Sequence, residues 1–365
     1  MEKTAGAPSK GVVHGLLPKP RALAQRSAGD KPKPARIVVF IKKPNPSFSY
    51  YLEERLRQLK DLPVFVLQLD ELIDVEAQGS FVIICRYATT RQVRWIDKNR
   101  SSLAGVAYFI DDDLPAVWSE SGSSWGYRLY VGFYALWPLL RLNRQLEQIW
   151  VSTETLALTL PAPLDAVTVL PPFPPAIENR NCRPGADVKM IFHSTGSHRR
   201  EHEFLRPIVT RALEKHGNLH FEVVASGAEA RRWSRANTSG RISVVPPAPW
   251  PDYLSSSSSS RCADIALVPL LQGRLNAARS DTKRVDVARL GASAIYSKTA
   301  IYDRCACEGE VHLPNDPEEW GNAIDRLVSN EEYRKKAADA TAAAFQKMRC
   351  LGSAVQLPHL VGLNG

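Results

Sequence analysis

From residue 36 onward, short continuous apolar runs alternate with longer stretches in which apolar positions recur every three or four residues. Residues 37–41 (IVVFI), 64–67, 81–85, 106–110, 148–152 and 167–170 read as strands, and 50–59 and 89–99 as helices between them. A continuous apolar strand has no polar face to offer water, so it predicts burial on both sides. Strands of that kind alternating with helices predict a parallel sheet covered on both faces. A proline-rich joint at 170–175 (LPPFPP) and a polar stretch at 178–187 interrupt the series. A second series follows, with strands at 188–192, 221–224, 242–245, 264–271 and 294–296 and helices at 201–215, 281–290, 317–327 and 331–348. In the first of these helices Phe204, Leu205, Ile208, Val209, Ala212 and Leu213 share one face. Gly291 is placed to stop the second. The run Ser255 to Ser260 reads as decoration on a polar helix or loop. The pattern predicts an α/β protein of two Rossmann-like, doubly wound parallel-sheet domains facing a central cleft. The expected boundaries are 36–175 and 176–330, with a tail at 1–35 and a C-terminal helix and tail at 331–365.

Composition agrees with that size. The 365 residues are 44% hydrophobic and 23% charged, which suits a globular chain and excludes a wholly disordered, collagen-like or disulfide-framework protein. The formal charge of +9 invites a nucleic-acid or anionic-membrane reading, but it is unevenly spread. Residues 1–36 hold eight Lys and Arg against Glu2 and Asp30, a net +6, together with five prolines and no aromatic residue. Such a segment predicts a disordered arm, a candidate for contact with an anionic membrane, without the apolar core of a secretory signal. Nucleic acid is not an expected partner, because the rest of the chain offers no basic and aromatic platform. The six cysteines include no CxxC pair, and Cys305 and Cys307 lack a second pair at zinc-binding spacing. No stretch reaches the roughly 18 apolar residues of a membrane helix. The nearest, 125–140, is interrupted by Arg128 and Pro138.

Ligands of open α/β sheets bind beyond the carboxyl ends of the strands. Three polar segments stand at such ends. The first is 193–200 (HSTGSHRR), where Gly196 and Ser197 in a small-residue turn ahead of a helix suit a phosphate, and His198 and Arg199 add donors. An ordinary capped strand–helix turn reads the same way. The second runs from 264 to 291, with Ser280 as an N-cap and Lys283 and Asp286 one helical turn apart. That pair reads either as a surface ion pair or as a cation for a diphosphate beside a carboxylate for ribose hydroxyls. The third is Asp111-Asp112-Asp113, which reads as a solvated acidic turn, a divalent-ion site or a set of acceptors for sugar hydroxyls.

Residues 264–297 (DIALVPLLQGRLNAARSDTKRVDVARLGASAIYS) resemble the donor-binding half of group 1, family 4-like glycosyltransferases of the GT-B fold. The shared pattern is D-I-x-L-x-P-L, then N-x-x-[KR]-S-x-x-K-x-x-E-x-x-x-x-G. The resemblance extends to 191–209 (IFHSTGSHRREHEFLRPIV), 315–334 (NDPEEWGNAIDRLVSNEEYR), 109–115 (FIDDDLP) and 151–157 (VSTETLA). It implies that Asp286 stands where the family has the second Glu of its E-x7-E element, which binds the nucleotide ribose. The first Glu of that element falls at Ala278, a departure that leaves the donor sugar open. The resemblance also implies donor binding through Gly196, Ser197, His198, Ser280 and Asp286. The candidates for catalysis are Arg199 and Lys283, to neutralise the leaving diphosphate, and Asp111, to face the acceptor.

The activity implied is transfer of a sugar from a UDP- or GDP-linked donor to a glycan or lipid-linked acceptor, with retention, without an essential metal and without a cofactor. The pathway implied is bacterial surface-polysaccharide synthesis at a cytoplasmic site against the inner membrane. The alternative is a catalytically degenerate nucleotide-sugar-binding subunit of an assembly complex, which the Ala278 departure would fit.

Overall fold

A computed structural model describes residues 19, 32–119, 125–162, 166–177, 187–194, 198–259, 263–358 and 360. The basic arm, with the net charge expected to make it disordered, lies almost wholly outside the described residues.

The continuous apolar runs form two parallel sheets. The first contains β1 (Arg36–Ile41), β2 (Val64–Gln68), β3 (Ser80–Cys85), β4 (Gly105–Ile110), β5 (Gln148–Val151) and β6 (Val167–Val169), in the order β2-β1-β3-β4-β5-β6. The second contains β7 (Val188–Phe192), β8 (Leu219–Val224), β9 (Ile242–Val245), β10 (Ile265–Val268), β11 (Ser293–Ser297) and β12 (Val311–Leu313), in the order β12-β11-β10-β7-β8-β9. Every strand pair is parallel. Strands β3 and β4 are buried at every position, as runs without a polar face require.

Each sheet is embedded in apolar side chains. In the second, Val188, Met190 and Phe192 of β7 pack with Leu205, Val209 and Leu213 of the helix Arg199–Lys215. Ile191 points the other way, toward Val287 and Leu290 of the helix Lys283–Leu290. Gly291 ends that helix at φ 68°, a left-handed conformation that a side chain would strain.

Several elements differ from the pattern-based expectation. The 50–59 helix is two short helices, Pro46–Tyr51 and Glu53–Arg57; Asn45 caps the first and Pro46 fixes its opening turn. The 264–271 strand stops at Val268, ahead of Pro269, which has no N–H for the ladder. The helices Gly227–Ala236 and Trp250–Ser259, and strand β12, are additions to the elements expected from the pattern. The serines 255–259 extend the second of these helices.

By packing, the chain forms two compact units. The first ends at Lys43 and resumes over Lys60–Ser119 and Trp125–Val169, while Pro44–Leu59 and the chain from Leu170 belong to the second. Arg55 is the anchor of the Pro44–Leu59 segment in the second unit. Its buried guanidinium donates to the carbonyls of Pro171 (2.8 Å), Gly352 (2.7 Å) and Val355 (2.9 Å). Gly352 is required there, because a Cβ would sit 2.2 Å from the Pro172 carbonyl oxygen. The proline joint therefore lies against the C-terminal helix Glu331–Ser353, where Arg349 also donates to the Pro174 carbonyl (2.9 Å).

Candidate active site

In the second sheet the chain leaves β7 toward β8 and β9 on one side, and leaves β10 toward β11 and β12 on the other. The carboxyl ends of these two adjacent strands thus form a topological switch point, where an open α/β sheet leaves a crevice. Strand β7 runs out into His193 and Ser194. Strand β10 runs out into a loop held from several sides: the Leu270 amide donates to Ser297 (2.7 Å), and Asn276 donates to the Leu271 carbonyl and to Glu201 (2.8 Å each).

Lys283 opens the helix Lys283–Leu290 and reaches across to this point. Its ammonium donates to the His193 carbonyl (3.0 Å) and to Asp286 Oδ2 (3.1 Å). Asp286 Oδ1 accepts from the Tyr50 hydroxyl (2.5 Å) and lies 3.4 Å from Arg289. Arg289 also donates to the Tyr50 oxygen (3.1 Å) and lies over the rings of Tyr50 and Trp250. Burial alone would raise the Asp286 carboxyl. The charges of Lys283 and Arg289 and the Tyr50 hydroxyl outweigh it and hold the group below the usual carboxylate range. Burial, then the Asp286 charge, pushes the Tyr50 phenol far up, so it stays a hydrogen-bond donor. The Ser280 hydroxyl is hydrogen-bonded to Tyr51, so the helix Pro46–Tyr51 supplies consecutive tyrosines to Ser280 and Asp286.

A second polar string runs along the same sheet face. His193 Nε2 contacts Glu222 Oε1 (2.9 Å), and Lys189 donates to Glu222 Oε2 (2.9 Å). The bond from His193, then that from Lys189, carries Glu222 down to about 2 against the opposing effect of burial. The His193 ring is buried, its Nδ1 has no hydrogen-bond partner among the described residues, and Tyr253 packs edge-on against it at 5.9 Å.

His198 is brought into the same neighbourhood. It accepts from Arg279 (Nε2, 3.0 Å), and burial, then the charges of Arg279 and Lys283, pushes it well below the usual imidazole value, so it is neutral at pH 7. Arg199 is not brought in: its exposed side chain pairs with Glu203 one turn along the same helix (2.9 Å). Gly196 and Ser197 lie outside the described residues. Ala278, at the departure from the family pattern, is buried. Tyr50, Arg289, His193, Glu222 and Trp250 had no part in the sequence-based site. Only a polar Glu within the otherwise apolar run 221–224 was a visible signal.

The first sheet has its own switch point at β1 and β3. Arg86, just past β3, adopts φ 66°, a left-handed conformation that is costly for an arginine. Its guanidinium pairs with Asp111 (3.1 Å) and Asp112 (2.8 Å), just past β4. Asp113 takes a different part: Oδ1 accepts from the Ala116 amide (3.0 Å) and caps the helix Leu114–Ser119. Around them stand Tyr87, Tyr127 and the stacked pair Tyr130 and Tyr134 (4.6 Å), with the Lys42 ammonium over the Tyr130 ring (3.7 Å).

Comparison with known proteins places the fold. Anabaena HepE, in a structure with UDP and glucose, is similar with a TM-score of 0.55 at 11% identity, over 88% of this chain and 98% of that one. TarM of S. aureus is similar with a TM-score of 0.56 at 11% identity, over 79% of this chain. The match spans only 56% of TarM's own length. A Listeria monocytogenes protein assigned as a UDP-N-acetylglucosamine 2-epimerase has a TM-score of 0.51 at 10% identity, over 88% of this chain and 96% of that one. No protein-family model matches the chain, and no curated protein matches it by sequence. Two α/β units, each with six parallel strands, are the GT-B fold class. That fold is shared by proteins handling nucleotide sugars in different ways, so the reaction must be argued from the site.

Proposed function

We propose that the protein is a glycosyltransferase that moves a sugar from a nucleotide-sugar donor to a glycan or lipid-linked acceptor, with retention and without an essential metal, in surface-polysaccharide synthesis. The observation that carries this reading is Lys283 at the β7/β10 switch point, flanked by Arg279 and Arg289, with one ionised carboxylate, Asp286, one turn away. As the bond from the anomeric carbon to the diphosphate breaks, its electron pair leaves with the diphosphate oxygen. A preorganised cation at that position stabilises the charge as it develops. Lys283 takes that part, His198 lies beside the diphosphate as a neutral group, and Asp286 accepts ribose hydroxyls. The acceptor hydroxyl forms the new bond on the face that the diphosphate leaves and passes its proton to the departing diphosphate oxygen. Asp111, beside Arg86, contributes to acceptor binding in the first unit. The UDP in the HepE structure makes UDP-linked sugars the first donors to test, with GDP-linked ones second.

Calorimetry with UDP, GDP and their sugars on the parent chain and on Lys283→Ala and Asp286→Ala tests the assignment. Loss of a charge-assisted contact at Lys283 is expected to weaken binding by about 10- to 100-fold. Unchanged affinity in both variants removes the site. The buried Ala278 favours a second reading, a binding subunit without turnover. Nucleotide-sugar binding without release of the nucleoside diphosphate, across a broad acceptor panel, would establish that reading instead.

A further inference from the structure

The first unit contains a helical run with one apolar side packed inward and a second apolar row open to water. It comprises Trp125–Val131, a π-helical turn at Gly132–Leu136, and Trp137–Leu142. Val131, Ala135, Leu139 and Leu142 are buried against the unit. On the opposite side Trp125 is 72%, Phe133 67% and Trp137 66% exposed, with Leu129 and Leu140 about half exposed between and beyond them. Large apolar side chains grouped on the outside of a folded unit mark a contact surface, since most of such a surface is otherwise dispersed or polar.

The backbone keeps the exposed row together. Side chains four residues apart on an α-helix drift by about 40° per step, so positions 125, 129, 133 and 137 would spiral by about 120°. In the π turn the Trp137 amide bonds to the Gly132 carbonyl, five residues back. The extra residue turns the following side chains back by about 100°, which returns Trp137 to the row.

We propose that this row is a docking surface for an anionic lipid bilayer. Indole, phenyl and leucyl side chains are those that settle at the boundary between headgroups and acyl chains. The charges on residues 125–144 are Arg128, Arg141 and Arg144, with no Asp or Glu among them. Arg128 lies against the Trp125 ring, which places a cation at headgroup depth beside an inserted indole. Arg141 is paired at 3.6 Å with Asp97 of the helix Thr90–Lys98, and both remain partly open to solvent. A lone cationic arm would bind lipid through charge alone. Here apolar insertion to about 5–10 Å adds a term that salt does not screen. This proposal is independent of the reaction proposed above.

The test is co-sedimentation of the full chain with vesicles of phosphatidylglycerol and phosphatidylcholine, against phosphatidylcholine alone, at low and high salt. Binding to the anionic vesicles is expected to persist in part at high salt and to fall about tenfold in Phe133→Glu, with Trp137→Glu as the second variant if the first misfolds. Circular dichroism checks folding, and quenching of tryptophan fluorescence by brominated lipid is expected in the parent chain and lost in the variants. Binding that is unaffected by either substitution overturns the proposal and assigns the contact to residues 1–35. A concentration-dependent dimer in sedimentation velocity, abolished by the same substitutions and without vesicle binding, overturns it in favour of a second copy of this chain.

Discussion

The carboxyl ends of the two sheets use the same topological device with a different charge balance. In the second unit Lys283 and Arg289 share one carboxylate, Asp286, with Arg279 nearby on His198, while His193, Glu222 and Lys189 form a separate string. In the first unit Arg86 is held between Asp111 and Asp112, in a wall of tyrosines that also takes up Lys42. Surplus positive charge suits a diphosphate, whereas a neutralised, aromatic surface suits an uncharged polyhydroxyl ligand. Their supports differ as well. The second site rests on a fully buried ion triad in which Arg284 bonds Asp281 (3.0 Å) and Glu310 (2.8 Å), with the partly exposed Arg304 also on Asp281. The carboxylates around Arg86 keep some contact with water. Charge buried without escape makes the second unit the more brittle of the two.

That contrast is broken most directly by removing one cation from each unit. Arg284→Ala leaves Asp281 and Glu310 unpaired in the interior, and thermal or urea unfolding is expected to show a loss of about 3–5 kcal/mol. Arg86→Ala should cost less, because its carboxylates can rehydrate; equal losses would erase the distinction. Asp111→Asn sharpens the functional half of the comparison. It is expected to lower kcat/KM about tenfold with respect to acceptor, while calorimetry shows nucleotide affinity within about twofold of the parent.

Acid tests the second unit next. His202, bonded to Trp233 and Ser194, is pushed down by burial to about 4, so its contribution is complete above the ordinary 6.5 and is lost as pH falls toward 4. Glu222, carried to about 2, adds stability that is complete above 4.5 and is lost between there and 2. Melting temperature against pH should therefore decline in two stages, and His202→Gln should remove the first. The smallest effect is expected from Arg199→Ala, with the melting temperature unchanged, because that exposed pair is screened by solvent. A large loss of nucleotide affinity in this variant would return Arg199 to the catalytic set.

Much of the fold was legible because its signals are local. Continuous apolar runs marked eleven of the strands, Asp316 and Asn330 cap the last two helices, and Gly291 stops the helix that bears Lys283. At the site, Lys283, Asp286 and His198 were within reach of spacing and resemblance. Their surroundings were not. A buried Glu222 and the left-handed Arg86 are ordinary residues until the sheet places partners beside them.

The sequence by itself determined where eleven strands and the long amphipathic helices lie, since backbone propensity and hydrophobic period act over a few residues. It also determined that surplus positive charge stands at the ends of the second series. Only the tertiary structure decided the strand orders that create two switch points, the transfer of Pro44–Leu59 to the second unit, and the bond from Tyr50 to Asp286, 236 residues away. A contact across that separation depends on two elements packing on one surface, and no window of sequence contains both.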